Sequence, residues 1–322
     1  MKNIIFANPL KQYQLRQKEI NFSIKNVLNN DAYIGGKIVN TFEKNFAKYH
    51  KSKYAISCNS GTDALYLALK AIDVRKGDEI ILPSHSAVAT ATAVKQTGAT
   101  LVFSDIEKNF YNIDPKEIIK KINKKTKALI VVHIYGQPCD MQKILKIAKK
   151  KKILVIEDCA QSLGSLIGKK KVGTFGEIGV FSLNYHKAIQ TGEGGFAVTN
   201  DSLYADRMRY LRNHGEVVIG PADRLDMIDM VGYNYRMPDV LAALGLSQLS
   251  KAIHFVEKID VDRHLWSDGE DFLTNPDPSH NLKTGMAVVV GHLQMLDSRT
   301  IELSAYSHNT IRGAAGGTML LA

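Results

Sequence analysis

Between residues 54 and 157 short apolar runs alternate with amphipathic stretches, and this alternation limits the possible folds more than any other feature of the chain. Tyr54–Cys58, Glu79–Leu82, Thr100–Ser104, Ala128–Ile134 and Ile153–Glu157 read as strands. The intervening Ala64–Ile72, Ala87–Lys95, Pro115–Ile122 and Met141–Lys150 read as helices. The expected fold is therefore α/β, a mostly parallel sheet flanked by helices. Ahead of it, residues 11–29 read as one helix, Tyr33–Gly36 as a turn, and Ile38–Tyr49 as a second helix carrying Phe42, Phe46 and Tyr49 on one face. Ligands of such sheets bind beyond the carboxyl ends of the strands, so the residues just after each strand become site candidates.

Three of these positions carry chemistry. After the first strand, Ser60-Gly-Thr-Asp63 has the spacing of a helix N-terminus with a capping pair. Its free N–H groups suit a phosphate, and Gly61 removes the side chain that would block one; a plain capped helix is the alternative. After Ile153–Glu157 comes Asp158, a carboxylate behind an apolar run. Such a carboxylate is costly unless it meets a cation such as a protonated pyridine nitrogen, or caps the next segment. After Ile178–Phe181 come Ser182, Lys187 and the glycine-rich Gly192-Glu-Gly-Gly195, whose glycines allow a ligand to approach the backbone. A pocket lysine can form a Schiff base with a carbonyl, including the aldehyde of pyridoxal 5′-phosphate (PLP), although most lysines of such a chain are solvated. An aldehyde, a ring nitrogen and a phosphate thus each find a partner, and one ligand carries all three.

Composition excludes more than it identifies. With 322 residues, 45% hydrophobic and 23% charged, the chain suits a soluble globular protein of about two domains. It holds no apolar run long enough for a membrane span and no expected signal peptide, so a cytoplasmic location is expected. Cys58, Cys139 and Cys159 are widely spaced and odd in number, which favours reduced thiols, and the histidines show no metal-ligand spacing. The net charge of +10 comes largely from lysine clusters at 120–127, 149–152 and 169–171. Two border expected helices and the third sits in an expected turn, which reads as a solvated surface. No nucleic-acid reading module accompanies them, whereas an anionic substrate is compatible with the charge.

The chain resembles the sugar aminotransferases of the DegT/DnrJ/StrS family, fold type I PLP enzymes. The resemblance rests on Ser60-Gly-Thr-Asp-Ala-Leu65, Lys76-Gly-Asp-Glu-Ile80, Tyr111-Asn-Ile-Asp-Pro115, His133-Ile-Tyr-Gly-Gln-Pro138 and Ile156-Glu-Asp-Cys-Ala-Gln161. It continues through Phe181-Ser182, Lys187, Gly192–Gly195, Leu211-Arg-Asn-His-Gly215 and Gly232-Tyr-Asn-Tyr-Arg236, and runs from about Ile5 to about Val256. It implies that Lys187 holds the cofactor and shuttles the substrate proton, that Asp158 pairs with the ring nitrogen, and that Gln161 lies near the ring's 3′ oxygen. Gly61, Thr62 and Ser182 are implied to bind the phosphate. Asn234 is implied to reach the phosphate of a neighbouring subunit in a homodimer, with Arg236 facing substrate there. The implied reaction passes an amino group from glutamate or glutamine to a keto sugar nucleotide, toward amino sugars of surface polysaccharide.

Two departures accompany the resemblance. Where the family places an aromatic residue against the cofactor ring, this chain has Ala87, so either His85 or another side chain covers that face or the face is more open. His186 stands beside Lys187, and some relatives that carry histidine in place of the lysine are sugar dehydratases. Since Lys187 is kept, transamination is the expected chemistry, with a PLP dehydratase or a non-catalytic PLP-binding protein as alternatives. His186 is expected to support the turn, pointing away from Lys187 along an extended segment. The expected organisation is a large PLP-binding domain at 1–252 and a partial or divergent smaller domain at 253–322. From about Lys258 the text is turn-rich and lacks family motifs, as in a shortened small domain or a tail read in a shifted frame.

Overall fold

Each apolar run becomes a strand of one seven-stranded sheet. A computed structural model describes residues 9–30, 33–216, 230–249, 289–295 and 301–306. Three helices lead in: α1 (Pro9–Gln14), α2 (Gln17–Asn29) and α3 (Lys37–His50). Then follow β1 (Tyr54–Cys58), α4 (Gly61–Ala71), β2 (Glu79–Pro83), α5 (Val88–Gln96), β3 (Thr100–Ser104) and α6 (Pro115–Lys121). The chain continues with β4 (Thr126–Val132), α7 (Met141–Lys151), β5 (Leu154–Asp158), the short hairpin β6 (Leu166–Ile167) and β7 (Lys170–Lys171), β8 (Ile178–Ser182), β9 (Gly195–Thr199) and α8 (Ser202–Arg212). A further helix occupies 239–249.

The strand order is β1-β9-β8-β5-β4-β2-β3, parallel throughout except for β9, which runs antiparallel to both its neighbours. Alternate side chains sort onto the two faces. Ile80, Leu82, Ala128, Ile130, Ile156 and Val180 join the core beneath α4, α5 and α8. On the other face Ile81, Leu129, Val131 and Val155 pack with Ile118 and Ile144 of α6 and α7, while Phe181, Phe196 and Val198 pack with Phe42 and Phe46 of α3. Helix α4 is buried on nearly every side (Ala64 to Ala71 apart from Lys70), which anchors its N-terminus at the sheet's carboxyl edge.

Four expectations need correction. The helix over 11–29 is two, broken at Leu15-Arg16, where Arg16 takes non-helical torsions and its guanidinium donates to the Ser247 carbonyl. Strand β4 stops at Val132, because the chain turns at Ile134–Gly136 with Tyr135 in the left-handed region (φ +57°). Of the lysines at 169–171 only Lys169 lies in the expected turn, with Gly168 at φ +60°; Lys170 and Lys171 form β7 of the hairpin. Lys187 lies in a turn closed by its own N–H on the Asn184 carbonyl, and not in an extended segment, so alternation does not set the direction of His186.

The expected boundary at 252/253 lies outside the described residues. So does most of the tail, including the turn-rich stretches Asn275–His280 and Gly313–Gly317. Within the tail, β10 (Val289–Met295) and β11 (Ile301–Tyr306) form an antiparallel pair. Among the described residues no helix is long and apolar enough to cross a membrane.

Candidate active site

The carboxyl ends of β1 and β8 meet the first residue of β9, where Gly195 pairs with Cys58 on one side and Ser182 on the other. This register brings three separate stretches to one spot. Ser60 caps α4, its hydroxyl oxygen accepting the Asp63 N–H at 3.0 Å. The Gly61 and Thr62 N–H groups are left without a backbone partner among the described residues, as expected of a helix start. Ser182 lies directly against it: a Cβ on Gly61 would sit 2.8 Å from Ser182 Cβ and 3.1 Å from its Oγ. Gly61, Thr62 and Ser182 therefore form one cradle with two free N–H donors, a hydroxyl and a helix N-terminus, suited to a phosphate.

The glycines after Lys187 are explained differently from expectation, by the protein's own packing and by a turn. Gly195 is approached by the protein itself: a Cβ there would lie 2.5 Å from the Ser60 carbonyl carbon and 2.9 Å from Gly61 N. Its bareness lets β9 pass beneath the start of α4. Gly192, at φ +83° with nothing nearby, serves the turn.

Asp158 ends β5, next to β8 in the sheet, and its carboxylate is buried. Oδ1 accepts the Ala160 N–H at 3.1 Å, and Oδ2 accepts the Thr90 hydroxyl at 2.9 Å. Thr90 Oγ1 in turn lies 2.8 Å from Ser86 Oγ. Burial pushes the Asp158 carboxyl above its ordinary range, opposed by these two hydrogen bonds and by the charges of Lys187 and His133. Lys187 shows the complementary effect, its amine pushed below the usual lysine range by burial, with Asp158 pulling it back up. A buried acid and a buried amine whose charges oppose each other's shifts, at the carboxyl edge of the sheet, are candidates for a functional pair. His186 shares the pocket's edge: burial, then the Lys187 charge, press its pKa down to about 4, so it is neutral near pH 7. Its Nε2 is buried without a hydrogen-bond partner among the described residues, as is Asn184 Oδ1.

Gln161 follows β5, and its Oε1 accepts the Tyr135 N–H at 2.8 Å, which turns the amide NH2 toward other partners. Tyr135 OH is 2.8 Å from His85 Nε2, and Tyr111 completes an edge-to-face group with ring centroids 5.7–6.4 Å apart. Tyr111 and Tyr135 both have positive φ (+61° and +57°), a strain that the surrounding contacts must hold. Burial lowers the His85 pKa, which keeps the ring neutral. Ala87, where an aromatic residue was expected, is the residue before the first turn of α5. The aromatic group that includes nearby His85 is completed by Tyr135 and Tyr111. Asn234 is exposed and bridges to Asn213, while Arg236 Nη1 donates to Asn213 Oδ1 at 2.8 Å. The Asn59 N–H donates to the Tyr235 carbonyl at 3.1 Å, which ties this segment to the residue before the cradle.

Sequence reasoning missed Thr90, Ser86, Tyr111 and Tyr135. The available signal was a pair of hydroxyls one helical turn apart, at the start of a helix otherwise rich in alanine and valine. It also missed that His133, Glu157 and Cys159 converge. The Cys139 N–H donates to His133 Nδ1, so Nε2 carries the proton and donates to Glu157 at 3.0 Å. The Glu157 carboxylate also accepts the N–H groups of Gly173, Phe175 and Gly176 at 2.7–2.8 Å. The Glu157 carboxylate thus pins the loop before β8, the strand that carries Ser182, while the lone pair on His133 Nδ1 is taken by Cys139.

The chain is similar to known proteins over most of its length. GDP-perosamine synthase of Escherichia coli O157:H7 is 43% identical over 223 residues, 69% of this chain and 60% of that protein. The solved structure of Streptomyces venezuelae DesV matches with TM-score 0.74 and 31% identity, over 83% of this chain and 69% of the other. E. coli GDP-4-keto-6-deoxy-D-mannose-3-dehydratase with bound hydrated PLP matches with TM-score 0.69 and 31% identity, over 77% and 69%. The chain spans about three fifths of the length of the curated relatives it matches. A family profile matches residues 14–265, well over half of the chain, and with the fold and the edge pocket in place the conclusion is direct: this chain belongs to the DegT/DnrJ/EryC1/StrS aminotransferase family.

Proposed function

We propose that the protein is a PLP-dependent aminotransferase that moves an amino group from glutamate or glutamine to a keto sugar nucleotide, for amino-sugar and surface polysaccharide biosynthesis in the cytoplasm. Residues 1–252 form its PLP-binding domain and 253–322 a smaller, partial or divergent one. What carries this reading is the Gly61–Thr62–Ser182 cradle at the sheet's carboxyl edge, with Asp158 ending β5 beside β8 and Lys187 following β8. The residues fit PLP on chemical grounds: an amine, a buried carboxylate with room on its lone pairs, a phosphate cradle, and an amide NH2 at Gln161 for a ring oxygen.

When bound, PLP supplies an electron sink that lets the amino-bearing carbon lose and regain a proton. Lys187 Nζ would hold the cofactor through its aldehyde carbon and, when its amine is free, would accept and return that proton. Its depressed pKa raises the neutral, nucleophilic fraction near pH 7. Asp158 keeps a cationic ring nitrogen in place, and Gly61, Thr62 and Ser182 hold the phosphate. His85 and Arg236 face the substrate. Asn234 reaches the phosphate site of a second subunit, for which its exposure leaves it available.

The test is incubation of the full chain with PLP, glutamate or glutamine and a panel of keto sugar nucleotides, with mass detection. Gain of an amino group supports the proposal; loss of water assigns the dehydratase chemistry that a structural neighbour's name carries. Visible absorbance of lysine-bound cofactor with no product from any substrate assigns a binding role instead. Lys187→Ala should abolish both absorbance and product, and survival of either removes Lys187 from its role.

A further inference from the structure

The chain Ser86–Thr90–Asp158 runs in one direction. Asp158 Oδ2 can only accept from Thr90 while the carboxylate is ionised, so the Thr90 hydroxyl proton points at Asp158 at 2.9 Å. The Thr90 oxygen is then free to accept, and the Ser86 hydroxyl 2.8 Å away donates to it. Thr90 is fully buried and Asp158 is 4% exposed, while Ser86 is half-buried, so the Thr90–Asp158 hydrogen bond lies in a low-dielectric place. The carboxylate's other oxygen is fixed by the Ala160 N–H. With one donor on each oxygen the carboxylate plane is locked, and a lone pair on each remains for a ligand.

We infer that Thr90, backed by Ser86, is a positioning residue that holds the Asp158 carboxylate ionised and oriented toward the cofactor's ring nitrogen. This rests on the PLP reading above and deepens it, since Asp158 can select a protonated ring only if its own charge is kept in a buried place. Without the hydroxyl, burial drives the carboxyl toward its protonated form, which no longer discriminates a cationic ring. Charge-assisted hydrogen bonds of this kind are among the stronger ones, so removal should be felt as about tenfold or more.

The experiment compares binding of PLP with that of its 1-deaza analogue, in which the ring nitrogen is replaced by C–H, by absorbance titration of the full chain. Wild type should prefer PLP by about tenfold or more. Thr90→Val should bring the ratio of dissociation constants close to one, and Thr90→Ser should restore it. Ser86→Ala should lower the ratio partway, and Ser86→Ala combined with Thr90→Val should do no more than Thr90→Val alone, because the two hydroxyls act in series. A wild-type ratio in Thr90→Val, or no recovery in Thr90→Ser, overturns the inference while leaving the PLP reading intact. Should Thr90→Val fail to fold, Ser86→Ala decides: an unchanged ratio overturns the relay. Failure of wild type to bind PLP at all, or its indifference to the ring nitrogen, sinks the PLP or Asp158 assignment itself.

Discussion

Gly195→Ala separates close backbone approach from ordinary glycine flexibility. The added Cβ would lie 2.5 Å from the Ser60 carbonyl carbon and 2.9 Å from Gly61 N, where ordinary contact begins at 3.4 Å. The Ser60 carbonyl oxygen is closer still, so relief requires a displacement of more than about 0.9 Å (3.4 − 2.5). Every crowded atom is backbone, so no side chain can swing away. Overpacking of this kind costs about 1–3 kcal/mol, and rigid surroundings put Gly195 at the upper end. At about 2–4 °C per kcal/mol that is a loss of about 5–10 °C in Tm. The same displacement moves Gly61 N out of the phosphate cradle, and loss of one hydrogen bond to a charged group weakens PLP binding by about tenfold or more.

Gly192→Ala is the control. At φ +83° with nothing within 4 Å, it should cost about 1 kcal/mol of backbone strain and leave PLP affinity unchanged. The assays are thermal unfolding of the PLP-free protein and absorbance titration with PLP. If Gly195→Ala matches wild type in both, or if Gly192→Ala loses affinity equally, the close-approach argument is refuted.

Glu43 accepts from Arg212, Ser57 N and Ser57 Oγ in a buried cluster that joins α3, β1 and α8. Glu43→Ala strands the Arg212 charge and should lower stability by about 3–5 kcal/mol in urea unfolding, with partial recovery in Glu43→Leu combined with Arg212→Leu; a loss below about 1 kcal/mol contradicts this. His50 is buried on α3, and burial presses its pKa down to about 3. The unfolded chain then binds the extra proton below about pH 6.5, so stability falls as pH drops; wild type should lose about 1 kcal/mol more than His50→Leu between pH 6.5 and 5.5. Burial pushes the Cys58 and Cys159 thiols up to about 12, so both should resist a thiol reagent at pH 8 until denaturant is added.

The pocket's outline was legible in the sequence because its parts sit where local patterns end. Ser60-Gly-Thr-Asp63 announces a helix start, Asp158 closes an apolar run, and Lys187 follows another. What could not be read were the partners of those groups. The donor to Asp158 comes from Thr90, 68 positions away, and the Ser86–Thr90 pair of hydroxyls one turn apart does not say which distant group it serves. Helix α3 shows no capping residue of its own; Asp239 accepts the Gly36 and Val39 N–H groups from 203 and 200 positions away. The turn at Lys187 also escaped, since an extended run and a turn of mixed residues share much of their composition.

By itself the sequence determined the periodicity of strands and helices, and with it the edge at which chemistry collects, because burial of one face or both leaves a repeat along the chain. Only the tertiary structure decided that β9 enters against the grain between β1 and β8, so that Gly195 runs under Ser60 and Ser182 meets Gly61. Register and close approach depend on which distant segments become neighbours, and no one-dimensional pattern records that.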